Sequence, residues 1–389
     1  MPDVLLGLVG DVFINRANSH EVFDAVRPIL EVPQILFANL ESVYTDDPRP
    51  VPTGVYMMHG PADNLDSYAK AGFNVVSMAN NHILDCGYDA MLETRKRLRA
   101  QGVKTCGVGD SLTDAREPAI VEVDGLSVAF LAYASVFPMG YEARVDRAGL
   151  APMRAHTFWR DPFPLLLEPG RHPVIGTVAD EVDLRHLAED IQRARGRADL
   201  VVTSFHWGDQ MRPYRLTDHE KRTARFCIDE GASMVVGHHH HAIRGMEWYK
   251  GKPIMYGLGH FVFDLKLNWT AAEYQAWLAE VDPDGWTSSA PYQMFVREGW
   301  PYLPMHEDTR MTLIAWARAS RGGVSGIGFL PCKLAPDGKV HPLRVHSAES
   351  AEVLRYFEQC NTSQRLNGRA VLESSAVLAG YPTLRVVPN

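Results

Sequence analysis

Short apolar runs that stop abruptly at polar clusters organise the first two thirds of the chain. Residues 4–9 end at Gly10-Asp11, residues 34–40 close on Asn39-Leu40-Glu41, and residues 74–78 lead into Ala79-Asn80-Asn81-His82. Residues 200–205 run into His206-Trp207-Gly208, residues 233–236 into Gly237 and four consecutive histidines, and residues 253–258 into Gly259-His260. Runs this short and this rich in branched aliphatics predict buried strands. Between them, helical spacing predicts helices over residues 62–71, 88–101, 187–195 and 218–230, the last three each followed by a glycine at the stop position. Residues 120–123 and 126–132 flank Asp124-Gly125 and predict a hairpin, and residues 310–318 and 324–330 pair across Gly322-Gly323. Strands alternating with helices indicate an α/β fold. In open sheets of that class, ligands bind beyond the carboxyl ends of the strands, where these six polar clusters sit.

Two stretches break the pattern. Residues 137–182 are rich in Pro and Arg with weak periodicity and read as a loop excursion. Residues 265–308 carry Trp269, Tyr274, Trp277, Trp286, Tyr292, Phe295 and Trp300 and read as an inserted lid or subdomain. The division expected is one domain over residues 1–345 and a C-terminal extension, 346–389, packing on it.

Composition narrows the classes. A formal net charge of -8 argues against a nucleic-acid partner, whose binders carry a basic face, but leaves room for a local basic pocket. Five cysteines, Cys86, Cys106, Cys227, Cys332 and Cys360, form no CxxC pair and are odd in number, so neither a disulfide framework nor a zinc knuckle is expected. The opening MPDVLLGLVGDVF lacks a basic region and a small-residue cleavage site, and no uncharged apolar run approaches the ~20 residues of a membrane span. The expectation is a soluble, cytoplasmic protein with no membrane partner; the sequence assigns no oligomeric state.

The strand ends supply carboxylates (Asp11, Glu41), an amide (Asn81) and imidazoles (His82, His206, His239, His241). This is the donor set that a divalent cation needs, and His239 and His241 are spaced so that both side chains reach one centre. The segments GDVFINR (10–16), NLES (39–42), SMANNHILDCGYDAM (77–91), FHWG (205–208), VVGHHHH (235–241) and EWYKGKPIMYGLGHFVFD (247–264) then make a family likeness specific. They resemble the CapA/PgsA family, a branch of the calcineurin-like metallophosphoesterases named for poly-γ-glutamate capsule synthesis. The resemblance spans residues 4–345 and implies a calcineurin-like two-sheet α/β sandwich flanked by helices, with a metal site at one edge.

The departures from the family pattern matter. The superfamily usually opens Asp-x-His, and this chain has Phe13 at the third position. The lost imidazole weakens a two-metal phosphatase reading and fits a single Ca²⁺, Mn²⁺ or Zn²⁺ ion with several waters. Family members commonly carry Pro at the position of His240 and Asn at that of His260, so two imidazoles are added here. His240 reads as a solvated loop residue or a proton carrier. Asp209 follows His206 closely and could orient a histidine; Asp85 reads as a helix cap or as the partner of His82.

Three reactions fit. One is phosphoester hydrolysis, with Arg16, Arg212 and Arg244 as candidate phosphate clamps. Another is a part in polyglutamate capsule synthesis. The reading favoured by the residues is acid/base epimerisation at a peptide Cα, because the chain also resembles the peptide epimerases of lasso-type ribosomal-peptide maturation. Inversion needs two opposed acid/base groups and a positive charge facing the enolate. In that assignment Asp11, Glu41, Asn81, His206 and His239 bear the metal. His82, oriented by Asp11 or Asp85, faces His241 or else His260, and the aromatic insertion covers a peptide substrate.

Overall fold

The computed structural model describes residues 3–389 except 53–56, 162–164, 166–173, 268, 283–291, 374 and 376. Two main sheets face each other. In the ten-stranded sheet a parallel centre is formed by Val4–Phe13, Ile35–Leu40, Val75–Ser77 and Lys104–Cys106, with His260–Phe263 lying parallel on the first strand. Antiparallel strands Met311–Ser320, Gly323–Leu334, Leu384–Pro388 and Gly368–Leu372 extend it on one side. The six-stranded sheet has Leu126–Ala134, Leu200–His206, Met234–His238 and Lys252–Met255 in parallel, edged by Ala119–Val123 and Met246–Tyr249. The central strands are buried along their whole length, which is why they read as unbroken apolar runs rather than alternating ones. Phe37 of one sheet stacks on Phe130 of the other at 5.4 Å and 8°, and fully buried side chains from both sheets fill the space between them. The mixed α/β, two-sheet architecture expected from the sequence is the one observed.

Helices take the expected positions with revised bounds. Asp218–Glu230 stands as read: Thr217 and Glu220 close its first turn as a capping box, and Gly231 ends it in the left-handed region at φ 110°. Glu181–Arg195 starts six residues before the predicted 187–195, because the Asp180 carboxylate accepts the N–H groups of Val182 and Asp183 and nucleates a polar first turn. Residues 62–71 divide into a 3₁₀ turn, Ala62–Leu65, and a short helix, Asp66–Lys70.

Three expectations are corrected. The excursion 137–182 contains an antiparallel ribbon, Ala155–Arg160 with Val174–Ala179. The first of these strands is largely exposed, so it had no apolar face to betray it. His260 does not end a strand continuing from residue 253. Lys252–Met255 stops in the six-stranded sheet, Gly259 turns the chain at φ 81°, and His260 opens a strand of the other sheet. Residues 346–389 add the helix Ala348–Gln364 and two strands of the ten-stranded sheet itself. Among the described residues no helix is long and apolar enough to cross a membrane.

Candidate metal centre

The two parallel sheet centres end at the same edge of the molecule. Register places Asp11 beside Asn39 on one flank and His260 on the other, and His206 beside His238 in the facing sheet. Close backbone approach makes this possible. A Cβ on Gly10 would stand 1.8 Å from the Gly259 carbonyl oxygen, and one on Gly237 would stand 2.1 Å from that of Tyr256. The histidine loop carries backbone strain at the site, with His239 at φ 90° and His241 at φ 55°, a region that non-glycine residues seldom adopt.

His206 is the hub. Its Nε2 lies 2.6 Å from Asn81 Oδ1, 3.1 Å from His239 Nδ1 and 3.6 Å from Glu41 Oε1. Asn39 Nδ2 donates to Asp11 Oδ1 at 2.9 Å and lies 3.5 Å from Glu41 Oε2 and 3.3 Å from His206 Nδ1. His241 stands between the two carboxylates, Nδ1 3.4 Å from Asp11 Oδ2 and Nε2 3.6 Å from Glu41 Oε1. His238 Nδ1 is 3.4 Å from Asp11 Oδ1. Three sets offer ligand atoms that all lie within 4.8 Å of one another: Asp11, Glu41 and His206; Glu41, His239 and His241; and Asp11, His241 and His260.

The electrostatics of this cluster suit a cation. Burial pushes the Glu41 carboxyl well above its usual range, and the charge of Asp11 adds to that. Burial works in the same direction on Asp11, but His238 and His241 outweigh it and hold that carboxyl well below its usual range. Burial, with neighbouring imidazoles adding to it, keeps His206 and His239 well below the usual imidazole range, hence neutral and able to donate a lone pair. Asp11 Oδ2, Glu41 Oε1 and His241 Nδ1 are buried and make no hydrogen bond. Unpaired buried polar atoms are costly, and a coordinated divalent ion would satisfy all three, so the residues present fit such a group.

His82 is buried beside this centre. Its Nδ1 meets Asp85 Oδ2 at 2.8 Å, and Asp85 also accepts the Met58 N–H at 2.8 Å and the Tyr141 hydroxyl at 3.2 Å. Asp85 is thus the orienting partner of His82, rather than Asp11 or a helix cap; Cys86 holds the cap position. Among the described residues Asp209 orients no histidine: its carboxylate takes the Met211 N–H at 2.9 Å and lies 3.4 Å from Arg215. His240 is not a solvated loop residue. It is 1% exposed, and its Nε2 bonds Glu220 Oε1 at 2.8 Å, pinning the histidine loop to the helix Asp218–Glu230. Arg16 pairs with Asp264 and serves structure, whereas Arg244 is fully buried and donates to the carbonyls of Asp209, Arg212 and Ile243.

Sequence reading missed Asn39 and His238. Asn39 was visible inside the Asn-Leu-Glu cluster, and strand alternation, which puts it on the same face as Glu41 two residues on, was the signal that could have found it. The insertion divides in two. Trp269, Tyr274, Trp277 and Phe295 pack on one another, with ring centroids 5.4 to 6.4 Å apart. Tyr292 instead stacks on His306 at 4.6 Å and lines, with Gln210, Met211, Met294, Met305 and His306, a small pocket closed by His240 and His241. Trp286 lies outside the described residues.

The family model for the bacterial capsule synthesis protein PGA_cap matches residues 3–265. This chain belongs to that family. It is 26% identical over 277 residues to the capsule biosynthesis protein CapA of Bacillus anthracis, covering 70% of this chain and 61% of that one. It is also 26% identical over 271 residues to the PGA biosynthesis protein CapA of Bacillus subtilis (strain 168), covering 69% and 63%. A probable polyglutamine synthesis accessory protein of Mycobacterium tuberculosis is 32% identical over 239 residues, 59% of this chain and 56% of its own. The chain thus spans less than two thirds of the length of these curated relatives. Among solved structures, it is similar to a hypothetical protein from Thermus thermophilus, with a TM-score of 0.46 and 14% identity over 85% of this chain and 99% of that one. It is also similar to the calcineurin-like phosphoesterase YfkN of Bacillus subtilis, with a TM-score of 0.33 and 10% identity over 93% and 98%.

Proposed function

We propose that this chain is a metal-dependent enzyme of the capsule-synthesis type, acting by acid/base chemistry on a peptidic, glutamyl-rich chain. The observation that carries the reading is the convergence of Asp11, Glu41, Asn81, His206, His239 and His241, from strand ends of both sheets, with unpaired ligand atoms at its centre. The imidazole-rich donor set fits Mn²⁺ or Zn²⁺ better than Ca²⁺, which prefers an all-oxygen shell. A bound divalent ion would polarise a carbonyl and stabilise negative charge developing on it. His82 would carry the proton, its ring held by Asp85. The loop after His206 bears the exposed Arg212, a cation for the carboxylates of a glutamyl chain. The names of the relatives, which speak of capsule and polyglutamate synthesis, support the substrate class.

Epimerisation at a peptide Cα is a second reading. It is favoured by imidazoles on two sides of the centre: His82 with its carboxylate, and the stacked pair His241 and His260.

One panel separates these readings. Metal-loaded protein is incubated in D₂O with poly-γ-glutamate, with glutamyl-rich and aromatic peptides, and with an aryl phosphate. Metal-dependent change in polymer length, or cleavage or transfer of a glutamyl peptide, supports the capsule-type reading. A gain of about one dalton without cleavage supports epimerisation, which must exchange the Cα proton. Rapid phosphate release with untouched peptides rejects both.

A further inference from the structure

We infer that the pocket lined by Trp300, Arg310 and the first turn of the helix Ala348–Gln364 binds an α-amino-acid zwitterion. Two sources carry that chemistry: a free amino acid, and the amino end of a γ-linked glutamyl chain, which keeps its α-ammonium and α-carboxylate. The site is separate from the metal centre and stands without the metal-dependent reading.

The pocket holds about 390 Å³, within the range of small-molecule sites, and the buried Leu334 and Leu343 give it an apolar part. Arg310 is the residue that points to a ligand. Its guanidinium carbon lies 3.7 Å from the centre of the Trp300 ring. The side chain is half-buried, and its Nε is buried without a hydrogen bond. Among the described residues Arg310 makes no ion pair, and Glu307 acts on it only through space. The other cation of the pocket, Lys333, is already paired with Glu352 at 2.6 Å. Stacking on Trp300 holds the guanidinium plane in one orientation, the preorganisation that a bidentate carboxylate contact needs.

The remaining charges select the ligand. Glu307 and Glu349 line the same pocket, are exposed and make no ion pair among the described residues. One unpaired cation therefore stands with two unpaired carboxylates. A purely anionic ligand would meet both glutamates, and a purely cationic one would meet Arg310. A zwitterion gives its carboxylate to Arg310 and its ammonium to the glutamates, with its side chain free to cover the leucines.

The fold explains the placement. In the 3₁₀ turn Glu307–Arg310, Glu307 and Arg310 line this pocket, whereas Thr309 lines the one beside His241. All of these residues lie beyond residue 265, where the family match ends.

The test is calorimetric titration of the full chain. The probes are L-leucine, L-glutamate, γ-glutamylglutamate, N-acetyl-L-leucine, which lacks the ammonium, and L-leucinamide, which lacks the carboxylate. Free L-leucine and L-glutamate should bind with a Kd of millimolar or below, and each blocked form at least about tenfold more weakly than L-leucine. Arg310→Ala should weaken the free amino acids by more than about tenfold, with circular dichroism and metal content unchanged. Should that variant not fold, Glu349→Gln, at an exposed helix position, is expected to weaken L-leucine several-fold. Tighter binding of γ-glutamylglutamate than of L-glutamate supports the site with the chain end as occupant, and the reverse supports it with the free amino acid. The proposal is overturned if no free amino acid binds, if either blocked form binds as tightly as L-leucine, or if affinity is unchanged in folded Arg310→Ala.

Discussion

Asn39 touches no solvent and has no chemistry of its own, yet its amide reaches Asp11, Glu41 and His206 at once. Side chains that orient ligands in this way are worth about 10- to 100-fold in metal affinity. Asn39→Ala should therefore weaken the cation by about that factor in calorimetric titration while leaving the fold intact. His82 makes the opposite kind of contribution. It stands beside the metal cluster and is held by Asp85, so Asp85→Asn should retain stoichiometric metal while lowering turnover by about 10²- to 10⁴-fold, the usual worth of a positioned proton carrier. Equal loss of metal and activity in Asp85→Asn would place Asp85 among the groups that hold the ion.

Between the elements, buried carboxylates do much of the joining. Asp190, on the helix Glu181–Arg195, accepts four hydrogen bonds at 2.8 to 2.9 Å: from the Tyr133 hydroxyl, from Arg116 Nε and Nη2 and from an Arg193 nitrogen. It thereby ties that helix to the strand Leu126–Ala134. Asp190→Ala leaves the buried Tyr133 phenol without this acceptor and Arg116 with only Glu189 and the His186 carbonyl, and should cost about 1–3 kcal/mol in urea unfolding. Asp114 locks the helix Gly87–Ala100 to the short helix Leu112–Ala115 through Arg95, at 2.6 and 2.7 Å. Burial raises its carboxyl, but Arg95 and the Asp110 N–H outweigh that and leave it below the ordinary value. Its folded value lies below its unfolded one. The stability it adds is therefore complete above the unfolded value, about pH 4, and lost as pH falls through the folded value. The gap in urea midpoint between wild type and Asp114→Asn should hold steady from about pH 7 to about pH 5 and narrow below about pH 4. A gap that widens on acidification would contradict the assignment.

At the scale of the molecule, the centre exists only because two sheets converge and a crossing segment, Gly257-Leu258-Gly259, passes from one to the other. Asp11 N–H donates to the Gly259 carbonyl at 3.0 Å, and a Cβ on Gly10 has no room there. Gly10→Ala should push the strands Val4–Phe13 and His260–Phe263 apart. It should lower the melting temperature by several degrees and abolish tight metal binding together with it. Gly72→Ala offers the control. It adds a Cβ that meets nothing within 4 Å, though at φ 88°, so any loss there is backbone strain alone and should leave the metal in place.

Read alone, the sequence determined the α/β class, most of the central strands, and a cluster of candidate ligands at the polar strand ends. Those features are local: a buried parallel strand must be an unbroken apolar run, and a residue at its end must leave the sheet. Family motifs added the capsule-synthesis likeness. Only the tertiary structure decided that Asp85 rather than Asp11 holds His82, that His240 is a buried tether to Glu220, that Asp209 serves its own loop, and that His260 belongs to the sheet of Asp11. Each of those facts is a contact between segments far apart in the chain, set by how two twisted sheets pack. The periodicity of a single segment fixes which of its faces is buried, but not what that face will meet.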